Sequence, residues 1–142
     1  MTPSSEPDEV RSGTLVVGAA IVSGGRLLAA RRTTPPESAG RWELPGGKVE
    51  SEESPRDALV REVREELGCG VAVDRWLQGE QEFGATHVLR AAVCRIIDGE
   101  PSPGPDHDEL RWLPASRLGE LDWLEPDRPF LPELEDLLRR GR

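Results

Sequence analysis

The chain has 142 residues, with 27 acidic side chains against 18 basic ones and a formal net charge of -9. That length is one domain of ordinary size, able to bury a core without disulfides or a structural metal. The acidic balance excludes broad binding to nucleic acid or to an anionic membrane, which needs a basic surface, but not a small anionic ligand held by a few local arginines.

The first twelve residues, "MTPSSEPDEVRS", are acidic and rich in Pro and Ser. They lack the basic start and apolar run of a secretory signal and are expected to form a disordered tail, residues 1–12, ahead of a single domain over residues 13–142. Leu15–Val22 and Leu27–Ala30 flank a Ser23-Gly24-Gly25 turn and predict a β-hairpin buried on both faces. "TTPPESAG" reads as a loop and "RWEL" as a short strand ending at Pro45. A helix is then predicted with Ser54 as N-cap, Pro55 at its first position, Asp57 in its first turn and Gly68 as C-cap. Val60, Val63 and Leu67 would face the core, with Leu59 on their flank. "VAVDRWLQGEQEF" and "THVLRAAVCRII" predict a second hairpin, "DGEPSPGPDHDE" a loop, "LRWL" a strand and "PASRLGEL" a helical turn. A C-terminal helix is predicted over "EPDRPFLPELEDLLRR", with Leu131, Leu134, Leu137 and Leu138 as its apolar stripe. Mixed strands with two helices indicate an α+β sandwich.

No apolar run approaches the roughly 20 residues of a membrane span. Cys69 and Cys94 have no motif spacing and read as buried small hydrophobes in a reducing compartment. The expectation is a soluble cytoplasmic protein.

Chemistry concentrates in "GGKVESEESPRDALVREVREELG", Gly46 to Gly68. On a helix, Glu62 lies beside both Glu65 and Glu66. Like charges so placed repel one another, whereas together they make a site for a hard dication such as Mg2+. The glycine-rich entry, Pro45-Gly46-Gly47, can bring backbone to that cation, and Glu53 can close the shell. Taken alone, the helix reads as a solvated face laced with ion pairs such as Asp57 with Arg61. The loop before it changes that reading.

From Gly47 the chain runs G-x(5)-E-x(7)-R-E-U-x-E-E-x-G-U, with U apolar. Gly47, Glu53, Arg61, Glu62, Val63, Glu65, Glu66, Gly68 and Cys69 fill the frame, and the pattern resembles the signature box of the Nudix hydrolases. "RWELPGGK", the early hairpin and "RPFLPEL" resemble the MutT-like branch, over roughly residues 13–140. The resemblance implies an αβα sandwich of the Nudix type, with a mixed β-sheet and a loop-helix-loop catalytic motif. It also implies hydrolysis of nucleoside triphosphates to monophosphate and pyrophosphate, by water attack at the β-phosphorus. Carried over, Glu62, Glu65 and Glu66 would bind Mg2+ (Mn2+ being the alternative ion) with the Gly46 carbonyl. Either Glu62 or Glu53 would orient or deprotonate the water, and Arg61 would hold a box glutamate in place. Arg32 would contact phosphate, and Lys48, the only lysine of the chain, is a further substrate-binding candidate. Asp106 is the candidate for a further acidic ligand, with Asp108 or Glu109 as alternatives.

The box gives the reaction and not the base. Asp127 precedes the C-terminal helix, at a place where the resemblance implies asparagine in relatives acting on 8-oxoguanine nucleotides and aspartate in relatives acting on cytidine nucleotides. An ionised Asp only accepts hydrogen bonds and suits the N4 amino group of cytosine, and an Asp there is equally a helix cap. Trp42, Phe83 and Trp123 are candidates for stacking on the base, or for the core. Neither His87 nor His107 is expected to ligate metal: His87 reads as structural, and His107, in the acidic loop, could touch substrate. The expected activity is thus a pyrophosphohydrolase leaning to (d)CTP-like nucleotides. Sanitation of 8-oxo-dGTP, or cleavage of a nucleotide sugar such as ADP-ribose, is the alternative within the family. A non-catalytic module of this fold would be expected to lose box carboxylates, and here all are present. The expected partner is a nucleotide, with neither nucleic acid nor membrane, on a monomer or homodimer.

Overall fold

The computed structural model describes residues 14–141, so the expected tail lies outside the described residues. The elements run β1 (Thr14–Ser23), β2 (Arg26–Arg32), β3 (Trp42–Glu43), β4 (Gly46–Lys48), α1 (Pro55–Leu67), β5 (Gly70–Trp76), β6 (Gln81–Phe83), β7 (His87–Asp98), β8 (His107–Leu113) and α2 (Leu131–Arg139). Two 3-10 turns, Ala115–Glu120 and Glu125–Phe130, lie between β8 and α2.

The first hairpin forms and then splays. Gly24 and Gly25 both have positive φ, 58° and 76°, as a tight two-residue turn between strands demands. Only Val22 with Leu27 and Ser23 with Arg26 are then paired. Beyond them β1 runs parallel to β7 and antiparallel to β4, while β2 pairs with β3 and β8. The second hairpin forms as expected: β5 and β6 both pair antiparallel with β7.

Alternation along β1 builds two cores. Val17, Ala19 and Ile21 face α1 with Ala58, Leu59, Val63 and Leu67, whereas Ala20 faces α2 with Leu134, Leu137 and Leu138. The sheet is thus covered on both sides, which is why its central strands read as nearly continuous apolar runs. Among the described residues, no helix is long and apolar enough to cross a membrane.

The caps of α1 are those read from sequence. Ser54 Oγ accepts from the Asp57 N–H, and Gly68, at φ 74°, caps the C-terminus with its N–H on the Arg64 carbonyl. The buried row is Leu59, Val63 and Leu67, at i, i+4 and i+8; Val60 is only partly buried at its edge, so the expected places of Leu59 and Val60 are exchanged. Three other expectations are corrected. "GGK" is a strand, because β1 supplies its pairing where two glycines offer no strand preference of their own. Strand β8 starts at His107, inside the expected loop, where β2 pairs with it. The C-terminal helix begins at Leu131: Pro129 has no N–H to donate and its ring crowds the carbonyl four residues back, so residues 125–130 take a 3-10 turn.

Candidate active site

The site forms where β4 and α1 meet against β1. A Cβ on Gly46 would overlap the Val17 carbonyl oxygen, and one on Gly47 would overlap the carboxyl group of Glu62. The two glycines therefore let β4 lie on β1 and let the Glu62 carboxylate lie on β4. Gly47→Ala is expected to displace Glu62, lower kcat at least ~10-fold and destabilise by about 1–3 kcal/mol as an overpacked contact. Steady-state rates with thermal melts check this, and unchanged turnover would show that Glu62 does not need this seat.

Arg61 gathers the acidic groups. It binds Glu53 through both Nε (2.7 Å) and Nη2 (3.0 Å), and reaches Glu62 Oε2 at 3.0 Å and Glu65 Oε1 at 3.3 Å from Nη1. Nη2 also donates to the Lys48 carbonyl at 3.1 Å. A fork on a carboxylate fixes both partners in orientation. The guanidinium is held firmly charged, chiefly by Glu53, and in return its hydrogen bonds hold the Glu53 carboxyl below the usual carboxylate range. The Ser51-Glu52 turn delivers Glu53, and Glu52 takes φ 65° without being glycine. Such a backbone costs about 1–2 kcal/mol. Glu52→Gly is therefore expected to stabilise the domain by about 0.5–1 kcal/mol once the added chain entropy of glycine is subtracted, read from denaturant midpoints; a lower midpoint would contradict it.

Glu66 lies deeper. Its carboxyl is pushed well above the usual range, first by burial, then by Glu43 and by a hydrogen bond with Glu62, against the Gly46 N–H, which favours its charge. Its Oε1 is buried and without a partner. Beside it stand Glu43 and His107, whose ligand atoms all lie within 4.8 Å of one another and of Glu66. His107 Nε2 is 2.8 Å from Glu43 Oε2, which also accepts from Arg32 Nη1 at 2.7 Å.

The sequence candidates thus separate. Glu53, Arg61, Glu62 and Glu66 converge with Gly46 and Gly47, while Glu65 stands on the exposed side of Arg61. Arg32 enters through Glu43. Lys48 is exposed. Asp106 occupies an exposed turn with its carbonyl on the Thr33 N–H, outside the Glu43-Glu66-His107 cluster. Asp108 pairs with Arg31, and Glu109 with Arg31 and Arg111. Sequence reasoning left Glu43 without a role and gave His107 only to substrate; the signal for Glu43 was its place in "RWELPGGK".

Strand β3 also carries the other side of the site. Trp42 pairs with Trp123, and the Leu44 N–H donates to Asp127 Oδ2 at 2.7 Å. Asp127 is 5% exposed. Burial pushes its carboxyl up to about 8; Glu43 adds to the rise, and the Leu44 N–H and Arg32 oppose it. Asp127 is therefore not the acceptor-only group expected at neutral pH, and its side chain ties down Leu44 instead of capping a helix. Trp123 is fully buried with its indole N–H on the Leu118 carbonyl, and Trp42 is buried beneath Arg31 and Arg111, so both belong to the core. Phe83 remains half-buried, paired with His87 at 5.1 Å between ring centres, on a strand that contacts the 3-10 turn bearing Asp127. Both cysteines are buried free thiols, and burial raises their pKa values, Cys94 to about 12.

These donors suit a divalent cation. They are hard oxygens, crowded until Glu62 and Glu66 share a hydrogen bond, with one buried carboxylate oxygen left over. Comparison with known proteins agrees. The NUDIX domain model matches residues 14–134. The chain is 44% identical over 123 residues to the Mycobacterium tuberculosis (strain H37Rv) protein named "Putative 8-oxo-dGTP diphosphatase 2", across 84% of this chain and 86% of that one. It is 33% identical over 117 residues to the CTP pyrophosphohydrolase of Escherichia coli K12, across 82% and 87%. Among solved structures, the E. coli ORF135 protein superposes with a TM-score of 0.76 at 33% identity, across 96% of this chain and 97% of that one. The chain belongs to the Nudix hydrolases, enzymes that use a divalent metal on small nucleotide substrates.

Proposed function

We propose that this enzyme is a Mg2+-dependent nucleoside triphosphate pyrophosphohydrolase, releasing monophosphate and pyrophosphate, with a preference for (d)CTP-type nucleotides. The observation that carries the reaction is the convergence of Glu53, Glu62 and Glu66 around Arg61 and the Gly46-Gly47 strand. Glutamates and polyphosphate are both anionic; a bound dication joins them, neutralises charge as it develops and acidifies water at the site. Glu62, Glu65, Glu66 and the Gly46 carbonyl would hold it, and Asp106 would join them as the further ligand from its exposed turn next to His107. Glu62 takes the proton of the attacking water. Glu53 is the poorer base, since Arg61 lowers its pKa, and serves to orient. Arg32 and Lys48 would contact the phosphates.

The cytosine preference rests on Asp127. With a pKa of about 8 its carboxyl carries a proton at neutral pH, and so offers a donor beside an acceptor. The cytosine edge presents the complement: the N4 amino group beside the N3 acceptor. A second reading, 8-oxo-dGTP, is favoured by the same proton, which gives Asp127 the hydrogen-bonding repertoire of an asparagine, and by the name of the mycobacterial relative. Pyrophosphate release at fixed Mg2+ from CTP, dCTP, 5-methyl-dCTP, dGTP, 8-oxo-dGTP, ATP and ADP-ribose, ranked by kcat/KM, tests both. Cytosine nucleotides at the head of the ranking support the first reading, and 8-oxo-dGTP at the head replaces it with the second.

A further inference from the structure

We propose that His107 is a positioning residue for Glu66, holding that carboxylate in the orientation that receives the divalent cation; this rests on the metal-dependent reading above. The backbone places the ring with care. The β2–β8 register shifts between Arg31 and Arg32, bringing His107 opposite Arg32 and turning its side chain inward, where it is fully enclosed. The loop just before it lies on α1 at the same residue: a Cβ on Gly104 would overlap the main-chain carbonyl of Glu66. The entry to β8 thus packs on Glu66 through main chain and side chain together.

The ring is anchored on one side and open on the other. Nε2 is 2.8 Å from Glu43 Oε2. That oxygen is itself held by Arg32 Nη1, and Arg32 Nε is tied to the Thr34 carbonyl at 2.6 Å. Nδ1 stands 3.9 Å from Glu66 Oε1, and both atoms are buried without a hydrogen-bond partner. A movement of about 1 Å brings them to hydrogen-bond distance, with Nδ1–H as the donor and Oε1 as the acceptor. With Oε1 lacking a partner, the contacts of Glu66 to Glu62 and the Gly46 N–H fall to its other oxygen. Glu66 therefore has its box-facing oxygen engaged and its rear oxygen facing His107, with Glu43 behind the ring's far nitrogen. Carboxylates that bind metals are held from behind by such partners, whose removal typically weakens the metal 10- to 100-fold.

The test is Mn2+ affinity, by electron paramagnetic resonance, for the wild type and for His107→Ala, His107→Asn, His107→Gln, Glu43→Gln and Glu66→Gln. Metal-free melting curves, kcat and the nucleotide KM accompany it. His107→Ala and Glu43→Gln are expected to weaken Mn2+ at least 10-fold, with kcat recovering at high Mn2+ and KM little changed. Asn keeps a polar atom near the Nδ1 position and Gln near the Nε2 position, so Asn should retain more affinity than Gln, a difference that a merely structural role does not produce. Should His107→Ala fail to fold, the two amide variants and Glu43→Gln carry the comparison. Folded variants with wild-type Mn2+ affinity, alongside a Glu66→Gln that has lost it, overturn the proposal and leave the metal reading standing. Wild-type affinity in Glu66→Gln overturns both.

Discussion

Glu62→Gln and Glu66→Gln are each expected to lower kcat by at least ~10² at the Mg2+ concentration that saturates the wild type, because each removes a cation ligand or the base. The two should differ in how they fail. Glu62 is already oriented by Arg61 at 3.0 Å and seated on Gly47, so its amide would keep its place and lose its basicity. Glu66 is the more enclosed of the two, and its amide also alters the hydrogen bond it shares with Glu62. Its defect should lie in metal affinity, and Glu62→Gln's in turnover. Glu53→Gln should be milder than either, since its carboxylate is committed to a two-point bond with Arg61. Rates over a Mg2+ titration decide this, and near-full activity in both the Glu62 and Glu66 variants would sink the mechanism.

Asp127 gives the second large effect. Asp127→Ala is expected to cost ~10² in kcat/KM for the preferred nucleotide, as a base edge left facing no partner does. Asp127→Asn should stay within ~5-fold of the wild type at pH 7, because the amide also offers a donor beside an acceptor. The variants should part as pH rises. The folded pKa, about 8, lies above the unfolded value of 3.8, so the native state binds the extra proton. The stabilisation from this group is complete below pH 4 and is lost as pH rises towards and through 8. Glu43 and Arg32 face the carboxyl with opposite charges, and the Leu44 N–H tempers the shift. Melting temperature should therefore fall from pH 5 to pH 9 more steeply for the wild type than for Asp127→Asn, and so should kcat/KM above pH 8. Parallel profiles would show that no proton resides on Asp127. Full activity in a folded Asp127→Ala would show that it only ties down Leu44.

What the sequence made legible is local. Ser54, Pro55 and Gly68 mark the ends of α1 by chemistry that needs no tertiary information, and Arg61, Glu62, Glu65 and Glu66 fall on one face by helical spacing. What it hid depends on distant chain. Glu43 and His107 are 64 residues apart and meet only because β2 pairs with β3 on one side and β8 on the other. Strand β4 exists only because β1 lies alongside it. The raised pKa of Asp127 follows from its burial, against the opposing Leu44 N–H, and composition and periodicity encode neither. Trp123 read equally as a platform or as core, and its indole N–H on the Leu118 carbonyl places it in the core.

The parallel pairing of β1 with β7 has a consequence for how the protein comes to be folded. It joins Thr14 to His87 and Ile21 to Cys94, so about seventy residues must be looped out before the central strands can meet. Such non-local pairing slows folding relative to a helical bundle of equal stability. Strand β4, with Gly46 and Gly47, has β1 as its strand partner. The chain emerging from a ribosome therefore presents its glutamate helix well before β7 is available to complete the sheet. Ordered binding of a dication should appear only in the last step, together with global cooperativity, which makes metal capture a reporter of the finished domain.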